Sequence, residues 1–246
     1  MDADRSVLLV TGDREYFCTP GSELQTDLGV VEIPGEVEDG MTLNSHLGTE
    51  FTVFEPRGPD LFNHLERTGA PMMPRDIGLI IGLTGVRAGD RVLDIGTGTG
   101  ILAIYFGRIG ADVLTYERNE SAVSVARENI QRAGVAAQVA IRSGDATKEI
   151  DRLVDEGPFD LLTLDTGDAQ SLVEKATKLV RPGGYIVTYS PFIEDVRAIV
   201  TSARSRYPSV ETVETIQRAI DVDQRGTRPS TQGVGHTGYL TVIRNR

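Results

Sequence analysis

The chain has 246 residues, enough for one large domain or for one domain with a small module, and its 39% hydrophobic content sustains a buried core. No apolar run reaches the length of a membrane span and no charged-then-apolar leader opens the sequence, so a cytoplasmic location is expected. The formal net charge of −11, with 22 of 25 basic residues arginine, suits a halophilic, salt-rich cytoplasm, with ordinary acidic composition as the alternative, and it argues against a nucleic-acid partner without excluding a local arginine patch.

The first part of the chain predicts a module of its own. Ser6 to Val10 and Glu15 to Cys18 are short β-prone runs joined by Gly12-Asp13, a hairpin signal. Further runs lie at Gly29 to Ile33 and Glu50 to Phe54, separated by Pro34-Gly35 and Asp39-Gly40, which suggests a small barrel or sandwich over residues 1–57. Cys18 is the sole cysteine, which rules out an intrachain disulfide. His46, in the turn Ser45-His46-Leu47-Gly48, is expected to be structural. Neither it nor His64 nor His236 shows metal-ligand spacing, so no metal site is expected.

Residues 58–89 read as a helical connector. Pro59 to Arg67 puts Leu61, Phe62 and Leu65 on one helical face, and Pro74 with Asp76 opens a second helix over Ile77 to Leu83. The intervening segment precedes a glycine loop by about twenty residues and could fold over a ligand there.

Residues 90–246 alternate strand and helix. Arg91 to Ile95 is a strand fit for burial on both faces, followed by Gly96-Thr97-Gly98-Thr99-Gly100 and an apolar helix from Ile101 to Arg108. Glycines there let backbone turn sharply and touch a ligand, while the helix N-terminus supplies unpaired N–H groups. The next strand ends at Tyr116-Glu117-Arg118, where a carboxylate can accept both hydroxyls of a ribose. A dinucleotide fold wants G-x-G-x-x-G; this chain has G-x-G-x-G preceded by Asp94. The alternative to a nucleoside-cofactor site is an ordinary glycine-rich turn.

A helix from Asn119 to Ala133, a strand from Gln138 to Arg142, a strand from Phe159 to Leu164 and a helix from Ala169 to Val180 follow. Tyr185 to Tyr189 is a strand, Ile193 to Tyr207 a helix, and Val210 to Gln217 with an antiparallel Gly238 to Ile243 close the sheet. Repeated βα units predict a mostly parallel sheet with ligands at the strands' carboxyl ends. Asp94, Glu117, Asp145 and Asp165 each stand at or just past such an end. The span Asp94 to Gly100 resembles motif I of class I methyltransferases, which bind S-adenosylmethionine, and that resemblance implies a role for each acid. Glu117 would hold the ribose, and Asp145 the adenine amino group with the Ala146 N–H on a ring nitrogen. Asp94 would order the loop or reach the methionine amine, and Asp165 would face the sulfonium methyl. The bland alternative is that all four are structural caps.

Beyond Asp94-Ile95-Gly96-Thr97-Gly98-Thr99-Gly100, the chain as a whole resembles the archaeal branch of the tRNA (adenine-58-N1)-methyltransferase family. The narrower matches are Pro74-Arg75-Asp76, Gly144-Asp145, Tyr189-Ser190-Pro191, Arg225, Arg228-Pro229 and Gly235-His236-Thr237-Gly238-Tyr239. Against the family's Q-x-x-Y-P-K-D and D-x-P-x-P-W, this chain has Ala70, Met73 and Asp165-Thr166-Gly167-Asp168-Ala169-Gln170. The resemblance implies a Rossmann-like, seven-stranded α/β fold behind a small β domain, S-adenosylmethionine as cofactor, tRNA as partner and a homotetramer.

Asp165 is the expected catalytic residue. Asp94, Gly96, Thr97, Gly98, Thr99, Gly100, Glu117, Arg118, Asp145, Ala146 and Asp165 are the expected cofactor residues. Arg75, Arg225 and Arg228 are expected on phosphates, since guanidinium forks suit phosphate, and salt bridges are their alternative. His236 is expected either on the base or in a structural hydrogen bond. Three functions stay open at this level: methylation of adenine N1 in tRNA, methylation of another acceptor, and a non-catalytic cofactor- or RNA-binding subunit.

Overall fold

A strand-rich N-terminal stretch precedes a longer one in which strands and helices alternate, and in the computed structural model, which describes residues 5–246, the strands of the two stretches form separate sheets. The first six strands are β1 (Val7–Thr11), β2 (Arg14–Cys18), β3 (Glu23–Thr26), β4 (Gly29–Glu32), β5 (Thr42–Asn44) and β6 (Glu50–Phe54). Antiparallel pairing gives a four-stranded sheet in the order β2-β1-β6-β5 and a separate β3-β4 hairpin. Val7, Leu9, Val31, Ile33, Phe51 and Val53 form their shared apolar core. His46 is structural here: its Nδ1 accepts the Val30 N–H at 2.8 Å, while Ser45 Oγ donates to Leu28 O, pinning the hairpin to the sheet. Strands β3 and β5 escape a sequence reading because they are short and polar.

Two helices follow, α1 (Gly58–His64) and α2 (Pro74–Thr84). α1 stops three residues short of the expected Arg67, because Leu65 is extended and Glu66 spends its backbone groups on a distant side chain. α2 begins with Pro74 in its first turn and ends at Gly85 in the left-handed conformation.

The rest is β7 (Arg91–Ile95), α3 (Ile101–Arg108), β8 (Asp112–Glu117), α4 (Glu120–Arg132), β9 (Val139–Ser143), α5 (Ile150–Glu156) and β10 (Phe159–Leu164). There follow α6 (Ala169–Lys175), β11 (Val180–Ser190), α7 (Ile193–Arg204), β12 (Ser209–Glu214), β13 (Ile220–Asp223), β14 (Gly226–Pro229) and β15 (Tyr239–Arg244). The large sheet runs β12-β15-β11-β10-β7-β8-β9, with β15 antiparallel to both its neighbours. The last strand in sequence is therefore the antiparallel one, inserted one place in from the edge.

Period-two alternation in the central strands feeds two cores. Val92, Leu161 and Val187 face the layer of α2, α3 and α4, while Leu93, Leu162, Leu164 and Ile186 face α5, α6 and α7. α6 is shorter than the expected Ala169–Val180, because Phe159 donates its N–H to Leu179 O and draws Val180 into the sheet. Arg181 to Gly184 then bulges out before pairing resumes at Tyr185. Strand order reverses between β7 and β10, so a crevice opens at their carboxyl ends.

Candidate active site

The floor of that crevice is a carboxylate on β7. Asp94 is 1% exposed, and its register partners on β8 and β10 are Thr115 and Thr163. Thr115 Oγ1 donates to Asp94 Oδ2 at 2.7 Å and Thr163 Oγ1 to Oδ1 at 2.6 Å. With its proton given to Asp94, Thr115 accepts from Thr97 Oγ1, so a three-link chain ties the glycine loop to the sheet interior. Burial raises the Asp94 carboxyl to about 6 against the pull of the two threonines, and the charge of Glu117 adds to the rise. Of the two roles expected of Asp94, its position beneath the loop supports ordering the loop; it lines none of the clefts above.

The loop itself is held from the next strand. Gly96 and Thr97 donate their N–H groups to Tyr116 O, and Glu117 accepts from Gly98 N at 3.0 Å and Asn119 N at 2.9 Å. Gly96 has φ 101°, and a Cβ there would lie 2.1 Å from Asp165 O. Only glycine lets this loop meet the end of β10, whose Asp165 N–H binds Ile95 O at 2.9 Å. Gly100, at φ 84°, rests on Ala126 of α4 and starts α3.

Three clefts meet here. One, of about 260 Å³, lies among Glu117, Arg118, Asp145, Ala146, Asp165 and Asp168. A second, of about 350 Å³, runs from Asp165 to Gln170, Tyr189, Pro191, Phe192 and Asp195. A third, about 70 Å³, is a slot between the connector Thr68–Met72 and the loop Gly96–Thr99. Asp165 borders all three. Solvent reaches its carboxylate through them, but crowding withdraws it from bulk water and Asp94 and Glu117 repel its charge, which together raise it to about 7. Arg118, in the same wall, is spent on Asp168 at 3.1 Å. Asp165 and Glu117, which pair with no cation among the described residues, suit a positively charged ligand. Among the described residues no group of three or more acidic, histidine or cysteine side chains is arranged to hold a metal ion.

Other expected site residues fall differently. Asp145 caps the turn that follows it: Thr147 donates to it through N and Oγ1, and that hydrogen bonding, with Lys148 beside it, holds its carboxyl below the usual range. Arg75 donates to Val234 O at 2.9 Å and to Thr237 Oγ1 at 3.3 Å, so its fork docks the C-terminal segment rather than facing a phosphate. His236 has both ring nitrogens engaged, Nδ1 with Glu214 at 2.7 Å and Nε2 with Pro191 O at 2.9 Å, so of its two expected roles the structural one is observed. Arg225 and Arg228 are exposed on the β13-β14 hairpin and line none of the three clefts. Asp168 starts α6 but makes no side-chain cap, contrary to what its position suggests, because Arg118 holds its carboxylate. Thr147, Gln170, Phe192 and Asp195 also line the crevice without belonging to a motif that a sequence reading finds: Thr147 follows Asp145 in the turn after β9, and the packing of α6 and α7 brings in the other three.

Residues 87–230 match a family described as a methyltransferase domain. The chain is 35% identical to the tRNA (adenine(57)-N(1)/adenine(58)-N(1))-methyltransferase TrmI of Methanocaldococcus jannaschii, over 89% of this chain and 86% of that protein. Its fold is similar to that of a SAM-dependent O-methyltransferase from Thermotoga maritima (TM-score 0.81, 24% identity, covering 100% of this chain and 94% of the other). It is likewise similar to the tRNA (m1A58) methyltransferase TrmI of Aquifex aeolicus (TM-score 0.76, 22% identity, covering 100% and 98%).

Proposed function

The chain belongs to the class I methyltransferase family that contains the TrmI tRNA (adenine-N1)-methyltransferases, and from that membership we propose that it methylates N1 of adenine 58 in the T-loop of tRNA, using S-adenosylmethionine. The observation that carries the reading furthest is the position of Asp165, one carboxylate common to two clefts of nucleoside-cofactor character and to a third that is open to an acceptor.

The residues fit the cofactor. The Gly96–Gly100 cradle tolerates no Cβ at its first glycine, and the acids around it match a cationic ligand. S-adenosylmethionine, when bound, supplies a methyl group on a positively charged sulfur. Glu117 would hold the ribose hydroxyls with the lone pairs left over from Gly98 and Asn119. Asp145 and Ala146 would take the adenine edge, Arg118 and Asp168 would close over it, and the slot between Thr68–Met72 and Gly96, Thr97, Gly98 and Thr99 would take the methionine end.

Adenine N1 carries an in-plane lone pair, so no base need remove a proton before attack. Asp165 would accept the N6–H, hold N1 in line and stabilise the charge that develops on the ring. N1 lies on the Watson–Crick edge, so the nucleotide must leave its stack; Phe192, 64% exposed at the rim of the second cleft, offers it a stacking face. Phosphate contact is assigned to the exposed Arg225 and Arg228, while Arg75 and His236 shape the wall behind the base.

We also take the enzyme as a homotetramer, as the resemblance implies; Ile220 and Val222, 55% and 75% exposed on the β13-β14 hairpin, are an apolar surface available for such contact. No helix among the described residues is long and apolar enough to cross a membrane, and a cytoplasmic site of action fits a tRNA substrate. The test is single-turnover methylation of unmodified tRNA, with mass spectrometry locating the product. Methyl transfer to adenine 58 at N1 is expected; transfer to another base, or to none while protein and small-molecule acceptors react, would overturn the assignment.

A further inference from the structure

Asn129 stands where an apolar residue belongs. It lies on α4 in the buried stripe Ala122, Ala126, Asn129, Ile130 and is 1% exposed, so its amide is costly unless each polar atom finds a partner. All of them do. Oδ1 accepts the Glu66 N–H at 3.2 Å, and Nδ2 donates to Glu66 O at 2.9 Å and to Thr99 O at 2.9 Å.

The partners explain the residue. Glu66 is where the chain leaves α1, and the amide grips both of its backbone groups as a paired strand would. Two residues later the connector becomes one wall of the narrow slot, from Thr68 to Met72. Thr99 O belongs to the opposite wall, immediately before the left-handed Gly100. One side chain that lines no cleft thus holds both walls of the slot in register. We propose that Asn129 is a positioning residue for the methionine end of the cofactor, setting the gap between connector and glycine loop. The inference rests on the cofactor reading above and adds to it a residue at which the two ends of the cofactor can be separated.

The separation is chemical. The adenosine end would sit in the cleft of Glu117, Asp145 and Ala146, which shares no contact with Asn129. Asn129→Asp keeps the shape but removes the two N–H donors and sets a carboxylate oxygen against the carbonyls of Glu66 and Thr99. By calorimetry, S-adenosylmethionine should bind this variant about tenfold more weakly, whereas 5′-methylthioadenosine, which lacks the amino-acid end, should bind as it does to the unaltered protein. Should Asn129→Asp fail to fold, Asn129→Leu carries the same comparison, because α4's stripe accepts an apolar side chain while the three backbone partners lose their bonds. Unchanged affinity for S-adenosylmethionine, or equal weakening of both ligands, would overturn the role. Failure of the unaltered protein to bind either nucleoside would overturn the cofactor reading and this role with it.

Discussion

Asp165 and Asp168 stand three residues apart yet have different work to do. Asp165 follows a buried strand whose backbone fixes it against Gly96, and it borders all three clefts of the crevice. Asp165→Asn keeps the size of the side chain but removes the charge that balances a cationic ring, so single-turnover methyl transfer should slow by about 10²–10³ with tRNA affinity little changed. Asp168→Asn gives up an exposed pair with Arg118 at the edge of the cofactor cleft, so its cost to stability should be about 1 kcal/mol or less, and methyl transfer at saturating S-adenosylmethionine should stay nearly intact. A reversal of these two outcomes would mean the reacting atoms lie elsewhere. Glu117 calls for a milder change than alanine, since it staples the loop as well as facing the ribose; Glu117→Gln should weaken S-adenosylmethionine about tenfold by calorimetry.

The pH dependence has a definite sign at this scale. Asp94 and Asp165 are both raised above ordinary carboxylates, so their contribution to folding stability is complete below about pH 4 and is lost as pH rises through about 6 and 7. A cationic ligand favours the ionised form. Affinity for S-adenosylmethionine should therefore climb with pH up to about 7 and then level, with proton release on binding. The upper step should vanish in Asp165→Asn; its persistence would assign the titration to another group.

At the level of elements, the site depends on two strand ends being in contact. Gly96→Ala drives a Cβ into Asp165 O and asks alanine to adopt φ 101°, so it should cost about 1–3 kcal/mol or more in chemical denaturation and abolish cofactor binding. The far wall is held by His236, whose hydrogen bonds to Glu214 and Pro191 O raise its pKa. The bond to Glu214 is thus at full strength below the ordinary imidazole pKa and weakens as pH rises through the raised one. The N-terminal strands join this machinery through Ser6 to Arg132 and through Glu55, which Arg5 and Arg108 share.

For the molecule as a whole, charge is the dominant variable. A net charge of −11 on 246 residues repels itself, and dissolved cations screen that repulsion. If the acidic surface belongs to a salt-rich interior, the melting temperature should fall as potassium chloride is diluted. A flat or rising melting temperature would count against that origin.

Much of this was legible in the residues alone. Strand-loop-helix at Arg91 to Arg108, Glu117 at a strand tip and Asp165 after Leu161 to Leu164 are local patterns, carried by period, turn chemistry and burial on both faces. The connector's nearness in sequence to the glycine loop only allowed it to fold over a ligand there; the structure sets Thr68–Met72 across a slot from that loop. What local pattern cannot encode is which side chains meet across the sheet. Arg75 and His236 look like ligands of phosphate and base, but the C-terminal segment folds back and uses them as its own fastenings. Asn129 looks like an ordinary polar residue on a helix until Glu66 and Thr99, 63 and 30 positions away, arrive on either side of it. Such partners are chosen by the packing of both layers against the sheet, and only the tertiary structure could decide them, because each is fixed by contacts its own sequence neighbours do not make.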